Sequence, residues 1–253
     1  MSLPSSRLPP PRPDASTPDD WLAPRVDNDA LARRYRLRQR VQVPGLLRPE
    51  VAQRLHSRLA AWREWALVTR IQGQHRAFDA AGMDALEAHR RAAFDELVAA
   101  EARHGFQYLY ERYPLFDRGE AGALAEPLWQ QLHSLLKGEA FLAFARRLTG
   151  APVVRADGQL TRYRRGHFLT LHDDHDEPRT RVAAFVLNLT PAWPADFGGQ
   201  LQFADASGQV EAAVAPRLNA LSVFAVPRPH LVTAVAPFAT GARFALTGWF
   251  HRG

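Results

Sequence analysis

The feature that most limits how this chain can fold is the change of pattern after Gly150. Beyond that point, about eight short segments rich in β-branched and aromatic residues follow one another over roughly 100 residues, separated by turn residues. Among them are "HFLTLHDD", "RVAAFVLNLT", "GQLQFAD" and "ARFALTGWF". This spacing predicts an all-β half, built as a sandwich, a jelly roll or a small barrel.

The first 150 residues have a mainly helical pattern. Apolar side chains recur at helical spacing from Val51 to Trp62, with Pro49 near the start of the segment. Helices are predicted over residues 48–65, 83–103, 121–136 and 138–148. A short strand and a turn are predicted over residues 35–47, where Pro44 and Gly45 follow an alternating segment.

Composition completes the prediction of domain organisation. Residues 1–25 are rich in Pro, Ser and Asp and read as a disordered tail. Residues 26–150 are predicted to form a strand plus supporting helices, and residues 151–253 the β-rich core, with 26–253 as one compact domain. There is no secretory signal or membrane-spanning apolar run, so we expect a cytoplasmic protein.

The absence of cysteine limits the chemistry that the chain can perform. Any metal must be held by histidine and carboxylate, which excludes a cysteine-type structural zinc site. The net charge of +6 comes almost entirely from arginines scattered through the chain, so it indicates a composition bias more than a nucleic-acid surface.

The segment "LHDDHD" has the spacing of a metal site. On a strand, His172 and Asp174 would point to the same face, since residues i and i+2 do so. His230 begins another predicted strand 58 residues after His172. Two histidines and one carboxylate form the facial triad that leaves open positions on Fe(II).

An oxygenase could use those open positions for 2-oxoglutarate and O2. The far carboxylate of 2-oxoglutarate then needs a buried cation, and Arg243 lies on the next predicted strand after His230. The planar guanidinium suits a bidentate carboxylate pair better than lysine would. A lone His-x-Asp motif is a weak signal, and the hypothesis depends on its ordered combination with His230 and Arg243.

Residues 151–252 resemble the prolyl-hydroxylase-like branch of the Fe(II)/2-oxoglutarate dioxygenases. The stretches that carry the resemblance are "YRRGHFLTLHDDHD", "RVAAFVLNLTPAWPADFGGQLQF", "RPHLVTAV" and "RFALTGWF". The His-Asp-Asp motif, Trp193 and the Gly198-Gly199-x-Leu201 motif are most similar to the ribosomal prolyl hydroxylases. The resemblance implies a mainly β fold with helical support (α+β): a double-stranded β-helix, or cupin-like jelly roll, with the N-terminal helices packed on one face.

The same resemblance implies roles for individual residues. The iron ligands would be His172, Asp174 and His230. The residues that contact 2-oxoglutarate would be Arg243, Tyr163, Thr247 and, where some members have a tyrosine, Asn188. Arg181 and Trp249 fall where relatives contact substrate. Halogenating relatives replace the ligand carboxylate with a small residue, so Asp174 indicates hydroxylation.

The implied reaction is hydroxylation of an unactivated C–H bond, in a prolyl residue of a protein, with succinate and CO2 as products. The cofactors would be Fe(II), with 2-oxoglutarate and O2 as co-substrates and ascorbate as an optional reductant. A free amino acid or small molecule is the alternative substrate, favoured if the N-terminal helices close the pocket, whereas an open groove would favour a polypeptide. More distant alternatives are nucleic-acid demethylation, a zinc hydrolase and a non-catalytic binding module.

Three other histidines and one aromatic segment have simpler interpretations. His167 is predicted to be structural and outward-facing, on the face away from the site. His175 is predicted to lie in a solvated loop, with a helper role at the mouth of the site as the alternative, and His251 is predicted to lack a ligand role. The segment "GFQYLYERYP" (105–114) is predicted to be a packing stripe, with a substrate wall as the alternative.

Overall fold

The structure is a computed structural model that describes residues 18–24, 28–177 and 180–253. Within these ranges the chain forms twelve strands and seven α-helices. The strands are β1 Arg40–Pro44, β2 Ala66–Ile71, β3 Gln74–Asp79, β4 Tyr108–Tyr113, β5 Arg155–Tyr163, β6 Phe168–His172, β7 Arg181–Asn188, β8 Leu201–Ala204, β9 Val210–Val214, β10 Ala220–Ala225, β11 His230–Val232 and β12 Arg243–His251. The helices are α1 Asn28–Arg38, α2 Pro49–Ala61, α3 Ala80–Asp84, α4 Ala88–Ala102, α5 Leu115–Glu120, α6 Pro127–Lys137 and α7 Glu139–Thr149.

The strands form one curled antiparallel sheet. Their order is β1-β10-β7-β12-β5-β4-β6-β11-β8-β9. Outside this order, β2 pairs with β4, and β3 pairs with β2. Because β4 pairs with both β5 and β6, the sheet folds over on itself and encloses a half-barrel. This architecture confirms the predicted jelly-roll core.

The helices cover the outer face of the sheet, as predicted. Side chains from α6 and α7 fill one large apolar core together with outward-facing residues of β7 and β12. Phe141 of α7 packs edge-on against Phe185 at 5.7 Å and lies 5.3 Å from Phe250, between ring centroids. Each such buried aromatic side chain contributes about 2–3 kcal/mol through removal of apolar area from water. Gly150, with φ of +71°, ends α7 at the residue where the pattern changes.

None of the helices in the described ranges is both long and apolar enough to cross a lipid bilayer.

Two glycines allow the central strands to approach each other. A Cβ on Gly248 of β12 would lie 1.9 Å from the carbonyl oxygen of Asp157 on β5. A Cβ on Gly158 would likewise lie 2.9 Å from the carbonyl oxygen of Thr247. The register that pairs Gly248 with Gly158 therefore depends on the absence of side chains at both positions.

The N-terminal half departs from prediction first in its tail and in its first strand. The tail predicted over residues 1–25 does not extend through Trp21, because this residue is fully buried in the short 3-10 helix Pro18–Trp21. Residues 1–17 lie outside the described residues. The strand predicted over 35–47 is shorter, since Tyr35 belongs to α1 and pairing with β10 begins at Arg40.

The half predicted as a strand plus helices also contributes β2, β3 and β4 to the sheet. The β2–β3 hairpin turns at Gln72 and Gly73, which both have positive φ (+53° and +72°). This is the backbone of a two-residue primed turn. The missed signal was therefore the Gln72-Gly73 dipeptide at the turn.

Candidate metal centre and active-site cavity

The proposed ligands come together where β6 ends and β11 begins. His172 and His230 are directly paired in the antiparallel register, and their ring centroids lie 4.1 Å apart. Asp174 follows the end of β6 and has φ of +60°, a left-handed conformation that aspartate tolerates better than most residues. The backbone turn, and not the predicted strand periodicity, thus brings Asp174 to the two rings.

The hydrogen bonds of the two histidines suit metal coordination. The Nδ1–H of His172 donates to the carbonyl oxygen of Thr170 at 2.9 Å, and that of His230 donates to the carbonyl oxygen of Arg228 at 2.8 Å. Because a carbonyl oxygen only accepts, each neutral ring keeps its lone pair on Nε2. Both Nε2 atoms face Asp174, at 3.3 Å from Oδ1 for His172 and 3.5 Å from Oδ2 for His230.

Burial and charge favour the protonation states that a metal needs. Burial, together with the neighbouring His172, lowers the pKa of His230 to about 4. Burial raises the pKa of Asp174, but its side-chain hydrogen bonds, including that from Trp249, and the charge that the two imidazoles carry when protonated outweigh it, so the pKa lies below its usual value. One ligand atom from each residue lies within 4.8 Å of the others. Two imidazoles and one carboxylate fit Fe(II) with open positions.

Arg181 and Trp249, predicted to contact substrate, surround the ligand carboxylate. The indole N–H of Trp249 donates to Oδ2 of Asp174 at 3.0 Å. Arg181 stacks on the Trp249 ring, with its guanidinium carbon 3.9 Å from the centroid, and donates to the Asp174 carbonyl oxygen at 3.3 Å. Both side chains line the cavity beside the ligands. The indole nitrogen is therefore engaged by Asp174, which sequence reasoning did not anticipate.

The ligands open into a cavity of about 480 Å³ inside the half-barrel. Arg243 lies on its wall with only 3% of its surface exposed. Its Nη2 donates to Oδ1 of Asn188 at 3.3 Å, its Nε has no partner, and no carboxylate of the described residues lies within 4.0 Å of it. A buried cation without a counter-ion is costly. The far carboxylate of 2-oxoglutarate would offset that cost, so the cavity fits this co-substrate.

The other predicted co-substrate residues lie around Arg243. Tyr163 pairs with Arg243 in the register of β5 and β12, and the guanidinium carbon lies 5.2 Å from the centre of its ring. Burial raises the pKa of Tyr163, so its hydroxyl remains a donor. Thr247 lines the same cavity further along β12. Asn188 reaches the site through its hydrogen bond to Arg243.

Backbone conformation and close packing explain why glycine occupies both positions of the Gly-Gly motif. Gly198 and Gly199 both have positive φ, of +68° and +61°. A Cβ on Gly198 would lie 2.1 Å from the carbonyl oxygen of Ala234, and one on Gly199 would lie 3.5 Å from Cδ of Arg243. The backbone therefore approaches its neighbours closely at both glycines, and the absence of side chains leaves room beside the buried arginine.

The aromatic segment around β4 was interpreted correctly only in part. Phe106, Tyr108 and Tyr110 line the cavity, while the alternate side chains from Gln107 to Glu111 are buried on the other face. The strand periodicity of "FQYLYE" could have separated the two sets. The segment is a cavity wall and not only a packing stripe.

The remaining histidines lie outside the ligand set. His167 is buried, and not outward-facing as expected; burial, reinforced by Arg164, lowers its pKa to about 3, which agrees with a structural role. The Nε2 of His251 lies 2.8 Å from Oδ2 of Asp157. His175 is exposed and lies 3.1 Å from Glu177.

Comparisons with known proteins agree with this geometry. Residues 158–251 match the family model described as the 2OG-Fe(II) oxygenase superfamily. A prolyl-4-hydroxylase of Pseudomonas putida superposes with a TM-score of 0.54 at 21% identity, over 89% of this chain and 99% of that chain. A search of curated proteins returns none with significant similarity to this chain.

Two further structures show the range of proteins that share the fold. A prolyl hydroxylase of Trichoplax adhaerens, in complex with a peptide of the hypoxia inducible factor, superposes with a TM-score of 0.59 at 13% identity, over 88% of each chain. The α-ketoglutarate-dependent epimerase SnoN of nogalamycin biosynthesis superposes with a TM-score of 0.52 at 16% identity, over 88% of this chain and 81% of that chain. Residues 158–251 therefore form a domain of the 2OG-Fe(II) oxygenase superfamily, and the chain is a dioxygenase that uses Fe(II), 2-oxoglutarate and O2.

Proposed function

We propose that the chain hydroxylates a prolyl residue within a protein or peptide. The observation that carries this proposal is the position of the metal centre just below an open surface. Phe106 is 41% exposed, yet its ring centroid lies 5.2 Å from that of His172. Among the described residues, helices contribute only Phe116 and Asp117 to the cavity wall. An opening that no long helix covers can admit a chain segment, and not only a free small molecule.

The proposed assignments follow from the contacts at the site. His172, Asp174 and His230 would hold Fe(II), and Arg243, Tyr163, Thr247 and Asn188 would bind 2-oxoglutarate. When both are bound, they supply the oxidation in which one O2 converts 2-oxoglutarate and a C–H bond to succinate, CO2 and a C–OH group. Neither an acid nor a base from the chain is required at the carbon that reacts.

The protein itself would orient the metal ligands, neutralise the co-substrate carboxylate and exclude water. The two Nδ1–H groups hold the imidazoles in the ligand tautomer, and Trp249 holds the carboxylate. The guanidinium of Arg243 would neutralise the co-substrate carboxylate in a buried site, where the interaction is strong. Apolar side chains such as Val186 and Phe224 close the interior of the cavity.

An anaerobic titration tests the dioxygenase part of this proposal. Metal-free protein would be titrated with Fe(II) and 2-oxoglutarate, and the weak visible charge-transfer band of the chelate recorded. We expect the band in the wild type, its loss in His172→Ala and a weaker band in Arg243→Ala. Absence of the band in folded, iron-bound wild type would contradict the assignment of the co-substrate.

Mass spectrometry then tests the substrate. Prolyl peptides and cell extract proteins would be incubated with Fe(II), 2-oxoglutarate and ascorbate, with His172→Ala as the matched control. One added oxygen on proline, present only with the wild type, is the expected result. The structural likeness to prolyl hydroxylases supports this choice, whereas the likeness to an epimerase keeps a small-molecule substrate as the second candidate. Oxidation of free proline and of no peptide would favour that second candidate.

A further inference from the structure

We propose that Arg112 forms a second carboxylate-binding position in the cavity, which binds an acidic group of the substrate. The inference rests on the proposed function, because it concerns the substrate of the same site. It gives different ligands to two of the cavity arginines that have no carboxylate partner among the described residues. Arg243 would bind the co-substrate, and Arg112 would bind the molecule to be oxidised.

Arg112 is a partly buried cation with almost no partners. It lies on β4 opposite Thr161 of β5, and its side chain lines the cavity. The hydrogen bonding of its side chain to the described residues consists of one long bond, from Nη1 to Oε1 of Gln159 at 3.3 Å. No carboxylate of the described residues lies within 4.0 Å of it. A guanidinium has five N–H donors, so most of those on Arg112 remain free for a ligand.

Several other arginines of the chain have carboxylate partners. Arg162 and Arg164 both pair with the buried Glu111 on the outer face of β4. Arg40 pairs with Glu211 at 2.9 Å, and Arg58 pairs with Glu126 at 2.5 Å. Arg112 differs from these four arginines, since it has no carboxylate partner among the described residues and lies on the face of β4 that lines the cavity. The missing partner is therefore expected to arrive with the ligand.

The neighbours of Arg112 connect it to the other residues of the cavity wall. The Oε1 atom of Gln159 accepts the hydrogen bond from Arg112, and its Nε2 atom donates a hydrogen bond to the hydroxyl of Tyr110 at 3.3 Å. These two bonds together fix the orientation of the Gln159 amide. Tyr110 in turn stacks on Tyr163, with 5.2 Å between ring centroids. Burial raises the pKa of Tyr110, and the charges of Arg112 and Asp174 act on the same hydroxyl in opposite directions. Arg112 is thus joined through Gln159 and Tyr110 to Tyr163 along the cavity wall.

The chemistry of this position favours a carboxylate over a phosphate. A single guanidinium balances one negative charge and can bind a carboxylate through two parallel N–H bonds. A phosphate dianion would need a second cation, and Arg181 is already stacked on Trp249. The carboxylate could be the α-carboxylate of an amino acid or chain terminus, or an Asp or Glu side chain next to the reacting residue.

Calorimetric titration of the anaerobic protein, saturated with Fe(II) and 2-oxoglutarate, tests the inference without turnover. Three pairs of probes are used, and the two members of each pair differ only in that one has a carboxylate where the other has an amide. The pairs are N-acetyl-L-proline with its amide, acetyl-Pro-Asp-amide with acetyl-Pro-Asn-amide, and benzoate with benzamide. The first pair tests an α-carboxylate, the second tests a side chain, and the third tests the position without proline.

The matched variants are Arg112→Gln and Arg76→Gln. Arg76 is exposed on β3 and does not line the cavity, so its replacement removes the same charge from the same part of the sheet. Thermal melting and 2-oxoglutarate affinity would establish that both variants are folded. We expect the wild type and Arg76→Gln to bind at least one acid about 10-fold tighter than its amide, and Arg112→Gln to show no preference.

Each other outcome has a defined meaning. If acid and amide bind alike in all three pairs, or if no probe binds while 2-oxoglutarate does, the inference is wrong. It is also wrong if the preference persists in Arg112→Gln. If only benzoate shows a preference that depends on Arg112, the carboxylate position stands and the prolyl assignment fails.

Discussion

Replacing Trp249 with phenylalanine tests how the protein holds its ligand carboxylate. The change removes the indole N–H that donates to Oδ2 of Asp174 at 3.0 Å, and it keeps an aromatic ring beneath Arg181. Hydrogen bonds to charged groups contribute about 1.5–3 kcal/mol. Since about 1.4 kcal/mol corresponds to a factor of ten, metal affinity should fall roughly 10- to 100-fold.

The assay is competition for Fe(II) with a chelator of known affinity, performed without O2. Trp193→Phe is the matched control, because its indole N–H donates to the carbonyl oxygen of Gly198 at 2.8 Å and not to a ligand. We expect the control to keep the metal affinity of the wild type. Unchanged affinity in Trp249→Phe, with both variants folded, would refute the idea that the indole holds Asp174.

Three further predictions concern the core and the buried cation. Arg243→Met should weaken 2-oxoglutarate binding at least about 100-fold. The melting temperature of the free protein should stay equal or rise, because an unpaired buried charge is removed. A clear loss of stability would contradict this prediction. Gly248→Ala should lower the free energy of unfolding by about 3 kcal/mol, since its Cβ would overlap the Asp157 carbonyl oxygen. The control Gly105→Ala should change this free energy little, because there is open space around Gly105. Equal denaturation midpoints for the two variants would contradict the argument. Phe141→Ala should cost about 3–5 kcal/mol and Phe238→Ala, at a 64% exposed residue, under about 0.5 kcal/mol, as measured by urea unfolding.

The fold was predictable where the pattern is local and strong. The short strands after Gly150 and the amphipathic helices α2, α6 and α7 follow from side-chain periodicity, and each of them is present. The β2–β3 hairpin was missed because β3 is mostly exposed and carries little alternation of apolar residues. The burial of Trp21 could not be predicted either, since it depends on packing against residues that are distant in the chain.

The candidate site was predictable in its residue types. The order of His172, Asp174, His230 and Arg243 along the chain is enough to indicate the chemistry, because few combinations of side chains serve a mononuclear iron and a dicarboxylate. The roles of Arg112 and Trp249 were not predictable in the same way. A free arginine differs from a paired one only in what lies around it, and the sequence does not show its surroundings.

The sequence by itself thus determined the all-β half, the jelly-roll resemblance and the set of candidate metal ligands, since these depend on local periodicity and on residue chemistry. The tertiary structure alone decided the register that pairs His172 with His230 and Arg243 with Tyr163. It also decided which face of β4 lines the cavity and which arginines have carboxylate partners. The physical reason is that strand pairing and ion pairing join residues far apart in the chain, and their energies depend on burial and distance.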